Sequence, residues 1–229
     1  MKYFPIALLL SLLVACQGGQ KDSPKDELKA DSGDQQKQTD NLNSPQSQFK
    51  LLGFDKANTP LKDSLKGKII DGANWMDGEG EGMVVLVQTE NKMVKDMQSQ
   101  RIYVYCFKKE GDAWKPKWQV KDGIADCEVD ATCMIFPGSL SVSDVDSNNI
   151  AEVSFLYRLS CKGDVSPDEK KLIMYEGLAK YAIRGSTILQ FPEGREGGQK
   201  NVDPSFNKAP KALLDHANKR WEMFGLMKY

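Results

Sequence analysis

The sequence predicts an α+β domain, mostly antiparallel β-sheet, closed by a C-terminal helix. Three observations predict it. In "RIYVYCF" (101–107), Ile102, Val104 and Cys106 alternate with Tyr103, Tyr105 and Phe107, the period of two that sends successive side chains to opposite faces of a strand. "MVVLVQT" (83–89) and "AEVSFLYRL" (151–159) are short runs rich in β-branched and aromatic residues, as sheet interiors are. Helical spacing occurs only between Ala209 and Phe224, where Ala212, Leu213, Ala217, Trp221 and Phe224 recur at threes and fours and Pro210 suits a first turn.

The chain opens on a stretch with the pattern of a secretory signal: Lys2 is followed by the apolar run "FPIALLLSLLVA", which is too short to span a bilayer as a helix. Leu13-Val14-Ala15-Cys16 ends that run and resembles the lipobox of bacterial lipoproteins. The resemblance implies a signal peptide over residues 1–15, diacylglycerol on the Cys16 thiol, and Cys16 as the first residue of the mature chain. The alternative is an ordinary cleaved signal with a chance cysteine. Several acyl chains on one residue hold a protein stably on a membrane without crossing it. Gln17, in place of the Asp that retains such proteins at the inner membrane, points to the outer membrane, facing either the periplasm or the exterior. Lys21, Asp22, Lys25, Asp26 and Glu27 resemble the export signal of Bacteroidota surface lipoproteins.

Residues 16–48 read as a tether. From Gln17 to Gln48 no aromatic residue occurs, and Leu28, Ala30 and Leu42 are the sole apolar side chains, too few to offset the entropy of ordering the segment. The globular part is expected over residues 49–229. With 31 basic and 32 acidic residues the chain carries no net field for a polyanion, and no basic cluster interleaves with aromatics, which argues against nucleic acid as a partner.

Within the domain, "KKLIMYEGLAKYAIRG" predicts a hairpin turning at Glu176–Ala179, with Gly177 available for a positive φ. A faint internal echo pairs "WMDGEGEGMVVLV" with "SDVDSNNIAEVSFLY": each places an acidic turn (Asp77, Glu79, Glu81; Asp144, Asp146, Asn148) before an apolar strand. In "DVDSNNIAE", Asp144, Asp146, Asn148 and Glu152 fall at positions 1, 3, 5 and 9, with the Ile150 carbonyl at position 7. Such spacing lets alternate oxygens of a tight turn converge as Ca²⁺ ligands. The pattern resembles the calcium loops of propeller-type FG-GAP repeats more than an EF-hand, because position 12 is Phe155 and strands flank it. Asn149 stands where those loops have Gly and must take a left-handed conformation, which Asn tolerates. The competing expectation is an Asx-rich turn whose carboxylates cap their own backbone N–H groups without metal.

The run from Trp75 to Ser186, through "WMDGEGEGMVVL", "DCEVD", "LSVSDVDSNNIAEVSFLY", "CKGDVSP" and "KLIMYEGLAKYAIRG", resembles a group of Bacteroidota proteins labelled surface polysaccharide biosynthesis proteins. The resemblance implies a cell-envelope role and carries over no catalytic residue. Cys127 and Cys161 lie in two of these motifs, which favours their pairing; Cys106 and Cys133 then form a second bridge or stay as thiols. All four reduced is the alternative.

No GxSxG, HExxH, Walker loop or dinucleotide fingerprint occurs, and the one histidine, His216, lies in the expected helix away from any nucleophile motif. No catalytic residue is assigned. The expected role is a non-catalytic binding or accessory lipoprotein, with surface polysaccharide or an envelope assembly protein as partner; Trp75, Trp114 and Trp118 are candidates for stacking on it, and core or strand packing is the favoured alternative for each of the three. An envelope enzyme acting on glycans is the alternative.

Overall fold

A computed structural model describes residues 48–229. The expected signal peptide, lipidated Cys16 and all of the tether but Gln48 lie outside the described residues. Fifteen strands follow in chain order: β1 (Lys50–Leu52), β2 (Lys68–Asp77), β3 (Gly80–Gln88), β4 (Lys92–Val94), β5 (Met97–Glu110), β6 (Ala113–Cys127), β7 (Ala131–Ile135), β8 (Ser141–Ser143), β9 (Glu152–Cys161), β10 (Glu169–Glu176), β11 (Ala179–Ser186), β12 (Ile188–Phe191), β13 (Gly194–Gly197), β14 (Lys200–Val202) and β15 (Leu226–Lys228). A single α-helix among the described residues, α1 (Lys211–Glu222), precedes β15. The protein is therefore mostly antiparallel β-sheet with a C-terminal helix.

The internal echo corresponds to a repeated arrangement. In the first sheet β2, β3, β5 and β6 form a four-stranded antiparallel meander, with β1 outside β2 and β4 beside β5. The second sheet repeats it: a first strand split into β7 and β8, both paired to β9, then β10 and β11, with β14 added at the edge. A third, small sheet places β12 between β13 and β15, and β12–β15 is parallel.

The alternation in "RIYVYCF" decides which side of β5 meets which core. Ile102, Val104 and Cys106 join Val84 and Leu86 against Val153, Phe155, Tyr157 and Ile173 of the second sheet, so this core lies between the two meanders. Tyr103, Tyr105 and Phe107 turn to the opposite face, where Phe54 and Leu65 from the loop between β1 and β2 cover them. A Cβ on Gly72 would sit 2.2 Å from the Phe54 ring, so that cover depends on glycine.

The outer face of the second sheet is closed by α1. Leu213, Ala217 and Trp221, spaced by four, pack on Leu156, Leu172, Met174 and Ile183, each large buried side chain contributing about 1.5–3 kcal/mol relative to exposure. The helix is shorter than its apolar spacing predicts, because Pro210 occupies the N-cap position with an extended backbone and the chain leaves the helix before Gly225, at φ 90°. Phe224 still packs beyond the helix end, its ring centroid 6.0 Å from that of Phe136. Lys170, 2 % exposed, donates to the carbonyls of Trp221 and Phe224 at 3.1 and 2.8 Å and so caps the negative end of α1.

The predicted hairpin is present, with Gly177 at φ 56° between β10 and β11. Cys127 and Cys161 are joined as a disulfide, Cα atoms 5.7 Å apart, linking the end of β6 to the end of β9. Cys106 and Cys133 are separate buried thiols rather than a second bridge, and burial pushes both up to about 12.

Candidate metal centre

The segment between β8 and β9 has to reverse direction within a few residues. It does so with Ser147 and Asn149 in the left-handed region, at φ 61° and 65°, so Asn149 takes the conformation expected of it. Short polar side chains hold the turn: Asn148 N–H donates to Asp146 Oδ1 (3.3 Å), Ile150 N–H to Asn148 Oδ1 (2.7 Å) and Asn149 N–H to Asp144 Oδ2 (3.2 Å). Backbone contacts dock the loop on the β2–β3 turn, since Gly78 N–H donates to the Asn149 carbonyl at 2.6 Å and Ala151 N–H to Asp77 Oδ2 at 3.2 Å. Gln48 N–H donates to Asn149 Oδ1 at 2.9 Å, which ties the start of the described chain to the same loop.

Within this frame Asp144, Asp146 and Glu152 each present a carboxylate oxygen within 4.8 Å of the others. Glu152 is 1 % exposed. Its Oε2 accepts from Val145 N–H (2.9 Å) and Ser143 Oγ–H (3.1 Å), while Oε1 is buried without a hydrogen-bond partner. Burial pushes this carboxyl up to about 7, and the neighbouring Asp146 charge adds to the rise.

Of the five expected ligands, Asn148 stands differently. Asn148 directs its amide N–H groups at the acids, donating to Asp146 Oδ2 (3.1 Å) and Glu176 Oε1 (2.5 Å), while its Oδ1 is engaged by Ile150 N–H. Asn148 joins a ligand set only after its amide turns over. Ile150 contributes its N–H to the turn. Glu176, not among the expected ligands, lies directly opposite Glu152 in the β9–β10 register. Like charges directly opposite across strands are destabilising. An acidic residue just before the Gly177 turn was the available signal, and the register that brings it here is non-local.

Such a group can hold a hard cation through oxygen ligands, because several carboxylates in one small, half-buried volume lower their mutual repulsion when a positive ion sits between them. The chemistry for a general acid is less suitable. A carboxyl raised towards 7 beside a second carboxyl is a feature of glycosidase pairs, yet a proton donor has to touch its leaving group, and Glu152 is sealed from solvent.

The other expected site residues are structural. Trp75 is 2 % exposed, lies over Gly82, where a Cβ would meet the indole at 2.3 Å, and donates Nε1–H to Asp77 at 2.8 Å. Trp118 stacks on Tyr175 with centroids 4.0 Å apart, and Trp114 packs beside the Tyr105–Phe107 face under Lys109. These three tryptophans do not form an exposed row. His216 is half-buried on α1, its proton affinity lowered by burial and by Arg220 and Lys219. No family model matches the chain, and comparison with curated proteins and with solved structures finds no similar one.

Proposed function

We propose that this chain is a lipid-anchored protein of the bacterial outer membrane, with a non-catalytic binding or accessory role linked to surface polysaccharide, and that Ca²⁺ in the Asp144–Glu152 loop holds its β domain in shape. The convergence of Asp144, Asp146 and the sealed Glu152 carries the cation part of this proposal. Oxygen ligands, and no sulfur or imidazole among them, suit Ca²⁺ over a softer metal; Asn148 and the Ile150 carbonyl complete the set after the amide turns. The lipobox-like Leu13–Cys16 supports the anchor, and the Cys127–Cys161 bridge suits an oxidising compartment outside the inner membrane. Membrane attachment runs through the lipid on Cys16, and the resemblance to Bacteroidota envelope proteins supports the polysaccharide link.

Two measurements test this. In cells, Cys16→Ser abolishes fatty-acid labelling and releases the chain from the membrane fraction; a labelled, membrane-bound mutant ends the anchor claim. In solution, Ca²⁺ raises the thermal midpoint of the chelator-treated domain, since a ligand of the folded state alone adds about 2.7 kcal/mol at a hundredfold excess over Kd. A midpoint indifferent to both Ca²⁺ and EGTA leaves the loop as a self-capped turn.

A further inference from the structure

At the end of the first sheet remote from its acidic turn, Lys66, Gly67 and Lys68 lead into β2, Thr89 and Glu90 leave β3, and Lys92 opens β4. With Tyr103 behind them, these residues line an open cleft of about 530 Å³, within the ordinary range of ligand sites. The cleft is built by close backbone approach: Gly67, at φ 136°, lies where a Cβ would come 2.7 Å from the Gln88 carbonyl. Thr89 is fixed at both backbone groups, its N–H donating to the Arg101 carbonyl at 2.9 Å and its carbonyl accepting from Gln100 Nε2 at 3.1 Å.

The charges in this cleft are arranged unlike those at the acidic-turn end of the same sheet. At the acidic-turn end, Lys108, Lys109 and Lys117 are each paired with Asp77, Glu81 or Glu79. Among the described residues, Lys66, Lys68 and Lys92 form no ion pair, although Glu90 shares their cleft. Lysines brought to one cleft by two separate segments favour an anion there. Lysine supplies point charges on flexible stems, which suit anionic groups spaced along a ligand better than one planar bidentate group. Glu90 adds an acceptor, which a bare phosphate cannot use and a ligand rich in hydroxyl groups can, while Thr89 Oγ1 accepts from Arg101 N–H at 3.0 Å and keeps its hydroxyl proton to donate.

From this geometry we infer that the cleft between Lys66, Lys68 and Lys92 binds an acidic, hydroxyl-bearing glycan, its carboxylates meeting the lysines and its hydroxyls meeting Glu90 and Thr89. The inference rests on the binding role proposed above and names a site and a ligand chemistry for it; it does not depend on the cation loop.

Trigalacturonate is the probe, measured by calorimetry against the protein in EGTA, with maltotriose, inorganic phosphate and a short oligo(dT) as comparisons. Binding is expected for trigalacturonate alone, weakening at least tenfold between 50 and 300 mM salt, as the screening of three exposed lysines requires. The triple variant Lys66→Gln/Lys68→Gln/Lys92→Gln should lose at least tenfold in affinity, while Lys115→Gln/Lys121→Gln/Lys208→Gln, at exposed lysines elsewhere, should retain it. Glu90→Gln should weaken trigalacturonate, because a hydroxyl acceptor is lost, although removing a negative charge would strengthen a bare anion. Equal affinity for phosphate or oligo(dT), or a cleft triple variant that binds like the wild type with its thermal midpoint unchanged, overturns the inference. Ca²⁺ stabilisation and acyl labelling report on the proposed function separately, so either can fail while the other stands.

Discussion

Replacing Glu152 with Gln separates the cation-loop proposal from the self-capped turn in one set of measurements. The carboxyl is raised from 4.5 to about 7, and at about 1.4 kcal/mol per tenfold this corresponds to roughly 3 kcal/mol. Between those two pH values the folded protein keeps a proton that the unfolded chain has released, so the folded state binds more protons and stability falls as pH rises. The contribution is fully present below pH 4.5 and is lost as pH rises through about 7. Gln keeps an acceptor for Val145 N–H and carries no charge. In EGTA at pH 8 the variant should therefore be more stable than the wild type by up to about 3 kcal/mol, or roughly 6–12 °C in midpoint for a domain of this size. Near pH 4.5 the two should converge. Adding Ca²⁺ at pH 8 should raise the wild type and leave the variant almost unmoved, because the ion loses its buried anionic ligand. Urea unfolding at pH 4.5, 6 and 8, with EGTA or Ca²⁺, reads all of this. A difference between wild type and variant that is independent of pH refutes the buried-charge reasoning, and equal stabilisation of both by Ca²⁺ refutes the ligand role.

Peptide mapping without reduction should link Cys127 to Cys161 and recover Cys106 and Cys133 as thiols; Cys127→Ser with Cys161→Ser should cost about 4 kcal/mol, the chain-entropy value for a separation of 34 residues. Asp77→Asn should cost about 3 kcal/mol by urea unfolding, since it leaves Lys108, 2.7 Å away, without its buried partner. Burial alone would raise the Asp77 carboxyl, but Lys108 and the Trp75 indole hold it below its usual value. Its contribution is thus present above about pH 4 and lost as pH falls through the lowered value, and the variant should lose that acid sensitivity. Gly82→Ala should cost about 1–3 kcal/mol and perturb tryptophan fluorescence, because the new methyl displaces the Trp75 ring; an unchanged midpoint and spectrum would contradict that packing.

Local periodicity carried much of the fold. The two faces of β5 divide as the alternation of Ile102, Val104 and Cys106 with Tyr103, Tyr105 and Phe107 requires, and the Gly177 turn follows from strand, glycine and strand in one short stretch. Pairings between distant segments were not legible. Nothing near Trp75 in sequence says that it covers Gly82 instead of facing a ligand, and nothing near Lys66 or Lys92 says that they share a cleft. The helix ran shorter than its apolar spacing because an apolar residue packs equally well just beyond a helix end, as Phe224 does.

The repeated meander gives the acidic loop an internal control. In the first copy the turn at Asp77, Glu79 and Glu81 is met by lysines from the adjoining strands: Lys108 and Lys109 of β5 and Lys117 of β6. In the second copy the strand in the place of β5 is β10, and what it brings beside β9 is Glu176, directly opposite Glu152. Among the described residues no lysine or arginine forms an ion pair with Asp146, Glu152 or Glu176. The first acidic turn thus meets three lysines, whereas in the second Glu152 is sealed and faces Glu176 across the strands. Hydrogen bonds from Asn148 to Asp146 and Glu176 spread that negative charge without cancelling it. A cation in solution is the counter-charge we propose for Asp146 and Glu152 of the second turn.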